Sequence, residues 1–243
     1  MQIPLVKRPP GRNGTVLRRL AALAATLLIA PLGAAASAES FGDRMKACVV
    51  CHGPEGRATN QGYFPRIAGK PAGYLYNQLV NFRDGKRSNS TMAYLVDHMS
   101  DAYLREIAAY FASLDLPYPP PQTTGASPDV LARGEQLVRH GDPALGVPAC
   151  AQCHGSTMTG VEPSMPGLLG LPRDYLLGQF GAWRTGQRKA AAPDCMGDIA
   201  RRLSPQDVTA MATWLSAQPV RGGAMPAGAL QQPLPLRCGS GTP

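Results

Sequence analysis

The feature that most limits what this chain can be is a five-residue pattern that occurs twice. Residues 48–52 read Cys-Val-Val-Cys-His, and residues 150–154 read Cys-Ala-Gln-Cys-His. Two thiols three positions apart can add to the two vinyl groups of one porphyrin, and the adjacent histidine then lies beneath the iron. The pattern therefore predicts two covalently bound haem c groups. The attachment residues are Cys48, Cys51, Cys150 and Cys153, and the iron ligands beside them are His52 and His154.

Residues 1–38 have the organisation of a secretory signal peptide. Five basic residues precede or adjoin an apolar run from Leu20 to Leu32, and Ala36-Ser37-Ala38 provides small residues for cleavage. The run is shorter than the about 20 residues that a membrane span needs, although an uncleaved anchor stays open as an alternative. We therefore predict export to the periplasm with cleavage of the signal peptide, and leave loose association with the inner membrane open.

Most of the net positive charge of the sequence lies in the predicted signal peptide. The whole sequence has 24 Lys and Arg residues against 16 Asp and Glu, but five of the basic residues lie in the leader, where there is no acidic residue. The small remaining excess does not provide the clustered basic surface that nucleic-acid binding needs. We therefore expect no nucleic-acid partner.

The sequence that follows each motif is also repeated, which indicates a duplicated unit. Residues 64–87 match residues 165–188 at a constant offset of 101. Between the copies lies a proline-rich segment of the kind that forms a semi-rigid spacer. The predicted division is a signal peptide at 1–38, a first haem domain at 39–116, a linker at 117–128, a second haem domain at 129–220 and a C-terminal tail at 221–243.

Both copies read as helical, so the predicted fold class is all-α. In the first copy, Pro71 suits the first turn of a helix that carries Leu75 and Phe82 on one side, and Gly85 is suited to end it. Ser100 and Ser204 are suited to cap the last helix of each copy. Domains of this size have thin cores, so we expect the porphyrin to form part of the fold.

The second axial ligand is predicted from the repetition. Met92 and Met196 are the methionines that fall at equivalent places in both copies and outside the helix stripes, and we expect them on loops just ahead of the last helix. The alternative is that each fills a gap in the core, which methionine does well. Repetition favours the ligand interpretation, with His52 and Met92 binding the first iron and His154 and Met196 the second. The carbonyls of Pro65 and Pro166 are candidate acceptors for the other histidine N–H, with a plain turn as the alternative.

On these residues the chain resembles the dihaem cytochrome c4 family, within the class I c-type cytochromes. The resemblance covers nearly all of residues 40–220, and its motifs in the first copy are Cys48 to Gly53, Pro65 to Gly69, Tyr74 to Arg87, Met92, Met99 to Asp101 and Ala108 to Phe111. It implies two tandem class I cytochrome c domains with His/Met ligation and with their propionate edges close together. It also implies a periplasmic electron carrier to a terminal oxidase or reductase, with a membrane-bound oxidase, a reductase or a quinol–cytochrome c oxidoreductase as partner.

Several basic residues are candidates to offset the propionate charge, with solvated helix ends as the alternative. They are Arg83, Lys86, Arg87, Arg184, Arg188 and Lys189. The chain departs from the family in an apparent insertion at 141–149 and in a tail that contains Cys238. An oxidising compartment favours a disulfide between Cys195 and Cys238; the alternative is that Cys195 itself binds iron.

Two rival functions stay open beside the carrier. One is an electron-accepting dihaem subunit of a periplasmic dehydrogenase complex, which would use the same motifs. The other is an enzyme, such as a dihaem peroxidase or a thiosulfate dehydrogenase, which would need an open or exchangeable iron site. The matched methionines argue against that site, so we predict an electron-transfer protein and not an enzyme.

Overall fold

The computed structural model describes residues 40–58, 63–220 and 225–241. The predicted signal peptide lies outside these residues. Within these ranges, the residues from Phe41 onward form one compact unit. Within the described ranges, no helix is both long enough and apolar enough to cross a membrane.

The first copy is built from helices, as the hydrophobic periodicity predicts. They are α1 (Phe41–Arg44), α2 (Lys46–His52), α3 (Ala72–Arg83), α4 (Ser90–Val96) and α5 (Asp101–Ala112), with a 3-10 turn at Pro54–Gly56. The attachment motif forms the end of α2. Ser100 caps α5 through a hydrogen bond from the backbone N–H of Tyr103 to its side-chain oxygen, which confirms the predicted start of that helix.

The second copy has the same succession of helices after its attachment motif, with two short strands inserted. Its elements are α6 (Pro128–Arg139), α7 (Ala151–His154), β1 (Gly160–Val161), β2 (Met165–Pro166), α8 (Arg173–Arg184), α9 (Cys195–Arg202) and α10 (Pro205–Ser216), with a 3-10 turn at Pro143–Leu145. The two short strands pair antiparallel, Gly160 with Pro166 and Val161 with Met165. Ser204 and Asp207 form a reciprocal capping box at the start of α10.

The structure corrects one expectation about the predicted methionine ligands. Met92 and Met196 lie in the short helices α4 and α9, not on loops. Asn89 caps α4 by accepting a hydrogen bond from the backbone N–H of Met92, and Asp194 caps α9 by accepting one from Gly197. Each methionine is therefore held in the first turn of a helix, where the cap fixes the backbone.

The buried apolar side chains fall into two clusters, one in each copy. The first contains Met45, Leu75, Phe82, Val96, Leu104, Ile107, Ala108 and Phe111. The second is larger and is centred on α6, α8 and α10. Helices α6 and α10 approach closely because Gly134 has no side chain: a Cβ there would lie 2.3 Å from the carbonyl oxygen of Ala210.

The proline-rich segment between the copies is extended and is fixed to both of them. The guanidinium of Arg66 donates hydrogen bonds to the carbonyls of Leu116 and Pro117. Farther along, the backbone N–H of Gln122 donates to the carbonyl of Ser216, and its side chain accepts from the N–H of Arg173. The apparent insertion forms a short loop closed by two hydrogen bonds between Asp142 and Val147.

Candidate haem sites and the interface between them

A cavity in the second copy brings the predicted haem residues together. Cys150, Cys153, His154 and Met196 all line it. In the first copy, Cys48 and Met92 pack against the same core cluster. Both copies thus place a thiol of the attachment motif and the predicted methionine ligand on one apolar core.

Each predicted proximal histidine is fixed by a backbone carbonyl. Nδ1 of His52 lies 2.8 Å from the carbonyl oxygen of Pro65, and Nδ1 of His154 lies 2.7 Å from that of Pro166. Both predicted contacts are therefore present. Burial lowers the pKa of both histidines, which favours the neutral form of each ring. A neutral ring that donates from Nδ1 keeps the lone pair of Nε2 for a metal.

The cysteines of the two motifs do not have the environment of a redox dithiol. Burial raises the pKa of Cys48 and Cys153 and raises that of Cys150 to about 12. A reactive dithiol needs a lowered pKa, because the thiolate is the nucleophile. None of the four motif cysteines is in a disulfide. The thiols fit covalent attachment of a porphyrin better than thiol–disulfide exchange.

The C-terminal tail closes one side of the second cavity. Cys195 and Cys238 form a disulfide, as the compartment argument favours, so Cys195 is not a free thiol for iron. Leu236 and Ser240 of the tail also line the cavity. The Ser164 hydroxyl donates a hydrogen bond to the carbonyl of Ser240 at 2.6 Å.

The interface between the copies contains a buried polar cluster in which each arginine binds the equivalent glutamine of both copies. Arg87 donates to Gln78 in its own copy and to Tyr175 and Gln179 in the other. Arg188 donates in the same way to Gln179 and across the interface to Gln78. Backbone hydrogen bonds of 2.7 Å, from Ser88 to Gln187 and from Lys189 to Lys86, extend the contact on both sides.

The two arginines of this cluster are buried cations surrounded by neutral acceptors. Their exposed fractions are 8% for Arg87 and 7% for Arg188. Burial lowers the pKa of Arg188, and the charge of Arg87 lowers it further. A buried cation is costly unless an anion compensates it. Haem propionates would supply that charge beside the second cavity, which Arg188 lines.

An unsatisfied donor in the second cavity also fits a bound propionate. In the described part of the chain, the indole Nε1–H of Trp183 is buried without a hydrogen-bond partner. Its ring packs under the Arg188 guanidinium at 3.9 Å, and both side chains line the cavity. Sequence inspection aligns Trp183 with Phe82 but assigns it no role, because the missing partner is visible only in three dimensions.

Lys70 is a second residue that sequence inspection leaves without a role. Its side chain is 2% exposed, and its ammonium donates a 2.9 Å hydrogen bond to the carbonyl of Gly167 in the other copy. The only sequence signal is that the equivalent position in the second copy holds Leu171. Of the other basic candidates, Arg83 binds Asp84 and Asp101 on the surface, as expected of a solvated helix end.

Comparison with known proteins places this architecture in one family. The Cytochrome c family model matches residues 35–115. Cytochrome c4 of Pseudomonas aeruginosa is 34% identical over 199 residues, which cover 81% of this chain and 96% of that protein. The "Thiosulfate dehydrogenase electron acceptor" of Thiomonas intermedia is also 34% identical, over 210 residues that cover 84% of this chain and 95% of that protein.

A solved structure shares the fold. Thiosulfate dehydrogenase (TsdBA) from Marichromatium purpuratum matches with a TM-score of 0.65 and 30% identity over 71% of this chain. The match spans 36% of that longer protein. The remainder of that protein has no counterpart in this alignment, so its activity is not carried over to this chain.

Proposed function

Because the chain belongs to the cytochrome c4 family, we propose that it carries single electrons in the periplasm between respiratory donors and a terminal oxidase or reductase. It is a dihaem class I cytochrome c and an electron-transfer protein, not an enzyme. The observation that carries the proposal is the paired site: each copy holds a histidine fixed by a proline carbonyl and a methionine fixed by a helix cap.

We assign the haem-binding residues as follows. Cys48 and Cys51 attach the first haem and Cys150 and Cys153 the second; His52 and Met92 bind the first iron, and His154 and Met196 bind the second. Support comes from the second cavity, which four of these residues line, and from the same arrangement of elements in the first copy. We retain 39–116, 117–128 and 129–220 as the proposed domains and linker, because the apolar cores form separate clusters.

The protein residues determine what the bound haems do. When bound, each haem supplies a one-electron couple. A histidine nitrogen and a methionine thioether would hold each iron and would leave no open position on it for oxygen or peroxide. The proline carbonyls fix the tautomer and the orientation of the histidines, and the apolar cores exclude water from the sites. At the interface between the copies, Arg87 and Arg188 would compensate the propionate charge, and the indole N–H of Trp183 would donate a hydrogen bond to a propionate.

We propose a dehydrogenase as the electron donor. The Thiomonas relative is by name an electron acceptor of thiosulfate dehydrogenase, and a similar relative in Stutzerimonas stutzeri, 37% identical over 170 residues, has the same name. The first copy exposes three large apolar side chains, one of them in the attachment motif: Val50 is 83% exposed, Tyr63 68% and Tyr94 84%. We propose that the dehydrogenase contacts these side chains.

The carrier proposal is tested with the purified dihaem protein and carbon monoxide. We expect no rapid change in the reduced spectrum at either haem, and the weak red band of methionine-ligated ferric haem in the oxidised spectrum. Replacement of Met92 or Met196 by alanine should open one haem to carbon monoxide and leave the other closed. Rapid binding to the unaltered protein would overturn the closed His/Met assignment.

The donor is tested separately by rapid mixing. Thiosulfate with a thiosulfate dehydrogenase should reduce both haems, whereas thiosulfate alone should not. Reduction by a quinol–cytochrome c oxidoreductase but not by the dehydrogenase would reject the dehydrogenase as donor and leave the carrier role standing. A complex with the dehydrogenase that survives size-exclusion chromatography would instead support the second candidate, a dedicated electron-accepting subunit.

A further inference from the structure

Lys70 makes a contact that the internal repeat does not reproduce. The residue belongs to the first copy, but its hydrogen bond ends on Gly167 of the second. Its counterpart Leu171 is an apolar residue that is 8% exposed and packs in the core of its own copy. Lys70 therefore places an ammonium beside the second haem site, and the first haem site has no equivalent residue.

The acceptor of this hydrogen bond belongs to the segment that fixes the second proximal histidine. Gly167 directly follows Pro166, whose carbonyl accepts from Nδ1 of His154. The segment is closely packed, because a Cβ at Gly167 would lie 2.3 Å from the carbonyl oxygen of Thr159. A charge that binds Gly167 is thus one peptide unit away from the carbonyl that orients His154.

The surroundings of Lys70 do not neutralise its charge. Burial lowers the pKa of Lys70, and the charge of Arg66, a second buried cation at 2% exposure, lowers it further. The ring of Tyr118 lies close to both, with its centroid 4.1 Å from the guanidinium carbon and 5.8 Å from the ammonium nitrogen. In the described residues no carboxylate forms an ion pair with Lys70. A buried ammonium without an anionic partner disfavours any further positive charge on a group close to it.

We propose that Lys70 is a positioning residue that acts across the interface to raise the reduction potential of the haem held by His154 above the value it would otherwise have. The inference rests on the proposed ligation by His154 and Met196. Oxidation adds one positive charge to a haem site, so the nearby ammonium disfavours the oxidised state. The hydrogen bond to Gly167 acts in the same direction. It withdraws electron density from the segment whose Pro166 carbonyl accepts the hydrogen bond of His154.

The asymmetry would give electron transfer between the haems a direction. With Lys70 on one side and Leu171 on the other, the second haem becomes the preferred site for an electron that enters at the first. The exposed apolar surface of the first copy would then be the entry point. This deepens the proposed carrier role by assigning different tasks to its two haems.

The test replaces Lys70 and measures the potential of each haem. Lys70→Leu copies the residue at the equivalent position of the second copy, and Lys70→Gln retains an N–H donor without the charge. The control is Arg105→Leu, which removes one positive charge from an exposed position of the first copy. Potentials are measured by redox titration at pH 6, because burial lowers the pKa of Lys70 to about 7. The signal of the second haem is identified by its change in Met196→Ala.

Both Lys70 variants should raise the ratio of oxidised to reduced second haem about tenfold at a fixed potential, equivalent to ~59 mV for one electron. The first haem should change little, and Arg105→Leu should change neither. An unchanged second haem in a variant that keeps its methionine band, or an equal shift of both haems, would overturn the role of Lys70. Failure of the proposed function would be seen independently, as carbon monoxide binding to the unaltered protein.

Discussion

The disulfide between Cys195 and Cys238 is expected to stabilise the second haem site selectively. Cys195 precedes the proposed ligand Met196 and is the first residue of α9. The bridge holds the tail against this helix, and Gly239 adds a backbone hydrogen bond to the carbonyl of Pro193 at 2.9 Å. Replacing both cysteines by serine removes the covalent link and leaves the residues of the first copy untouched.

The size of the effect follows from the length of chain that the bridge closes. The two cysteines are 43 residues apart. In the chain-entropy description, a closed loop of this length constrains the unfolded chain by ~4 kcal/mol. With a urea m-value of about 2 kcal/mol/M for one domain, the unfolding midpoint of the second site should fall by ~2 M.

The assay follows each methionine ligand during urea unfolding. In the reduced protein, the two methionine methyl groups give separate proton resonances, shifted far upfield by the porphyrin ring current. In Cys195→Ser/Cys238→Ser, the signal of Met196 should disappear at a lower urea concentration while that of Met92 keeps its midpoint. Equal midpoints for Met196 with and without the bridge would refute the reasoning, and so would an equal loss at both sites.

Three further outcomes test other parts of the structure. Gly134→Ala should destabilise the second copy by about 1–3 kcal/mol in urea unfolding, because the new Cβ meets the Ala210 carbonyl at 2.3 Å and this outweighs the higher helix propensity of alanine; an unchanged midpoint would contradict the close helix crossing. Arg133→Gln should move acid unfolding to higher pH. A hydrogen bond from Arg133 lowers the pKa of Asp142. Burial raises the pKa of Asp207, but hydrogen bonds from Arg133 and Ser204 outweigh it, so that this pKa is lowered as well. Both carboxylates therefore stabilise the fold above their ordinary pKa, and this stability is lost as pH falls through the lowered values; an identical acid profile would reject the contribution of Arg133. Val50→Lys or Tyr94→Lys should slow reduction by the dehydrogenase several-fold in stopped flow, whereas Leu145→Lys, at an exposed site of the second copy, should not; equal rates for all three would place the entry surface elsewhere.

The sequence was sufficient for the parts of the molecule that depend on local chemistry. The attachment motifs, the helix caps at Ser100 and Ser204 and the matched methionines are each readable within a few residues. The fold class followed from helical periodicity and from the resemblance carried by these motifs. The one local error concerned Met92 and Met196, because the capping residues Asn89 and Asp194 were not recognised as the starts of short helices.

The interface could not be read in the same way. Arg87 is 92 residues from its partner Gln179, and Lys70 is 97 residues from Gly167. From the sequence alone, each of these side chains would be explained as a solvated lysine or arginine, because its contact partner lies in the other copy. The unsatisfied indole of Trp183 is a similar case, since burial and the lack of a partner are properties of the packed structure.

The reciprocal contacts of Arg87 with Gln179 and of Arg188 with Gln78 amount to an isologous dimer interface within a single chain. Two separate subunits would form such an interface only above a certain concentration, whereas the linker makes the pairing unimolecular. It also removes a restriction of symmetric dimers, in which any substitution appears on both sides at once. The tandem chain can hold Lys70 on one side and Leu171 on the other, and so present two unlike electron sites within a symmetric frame.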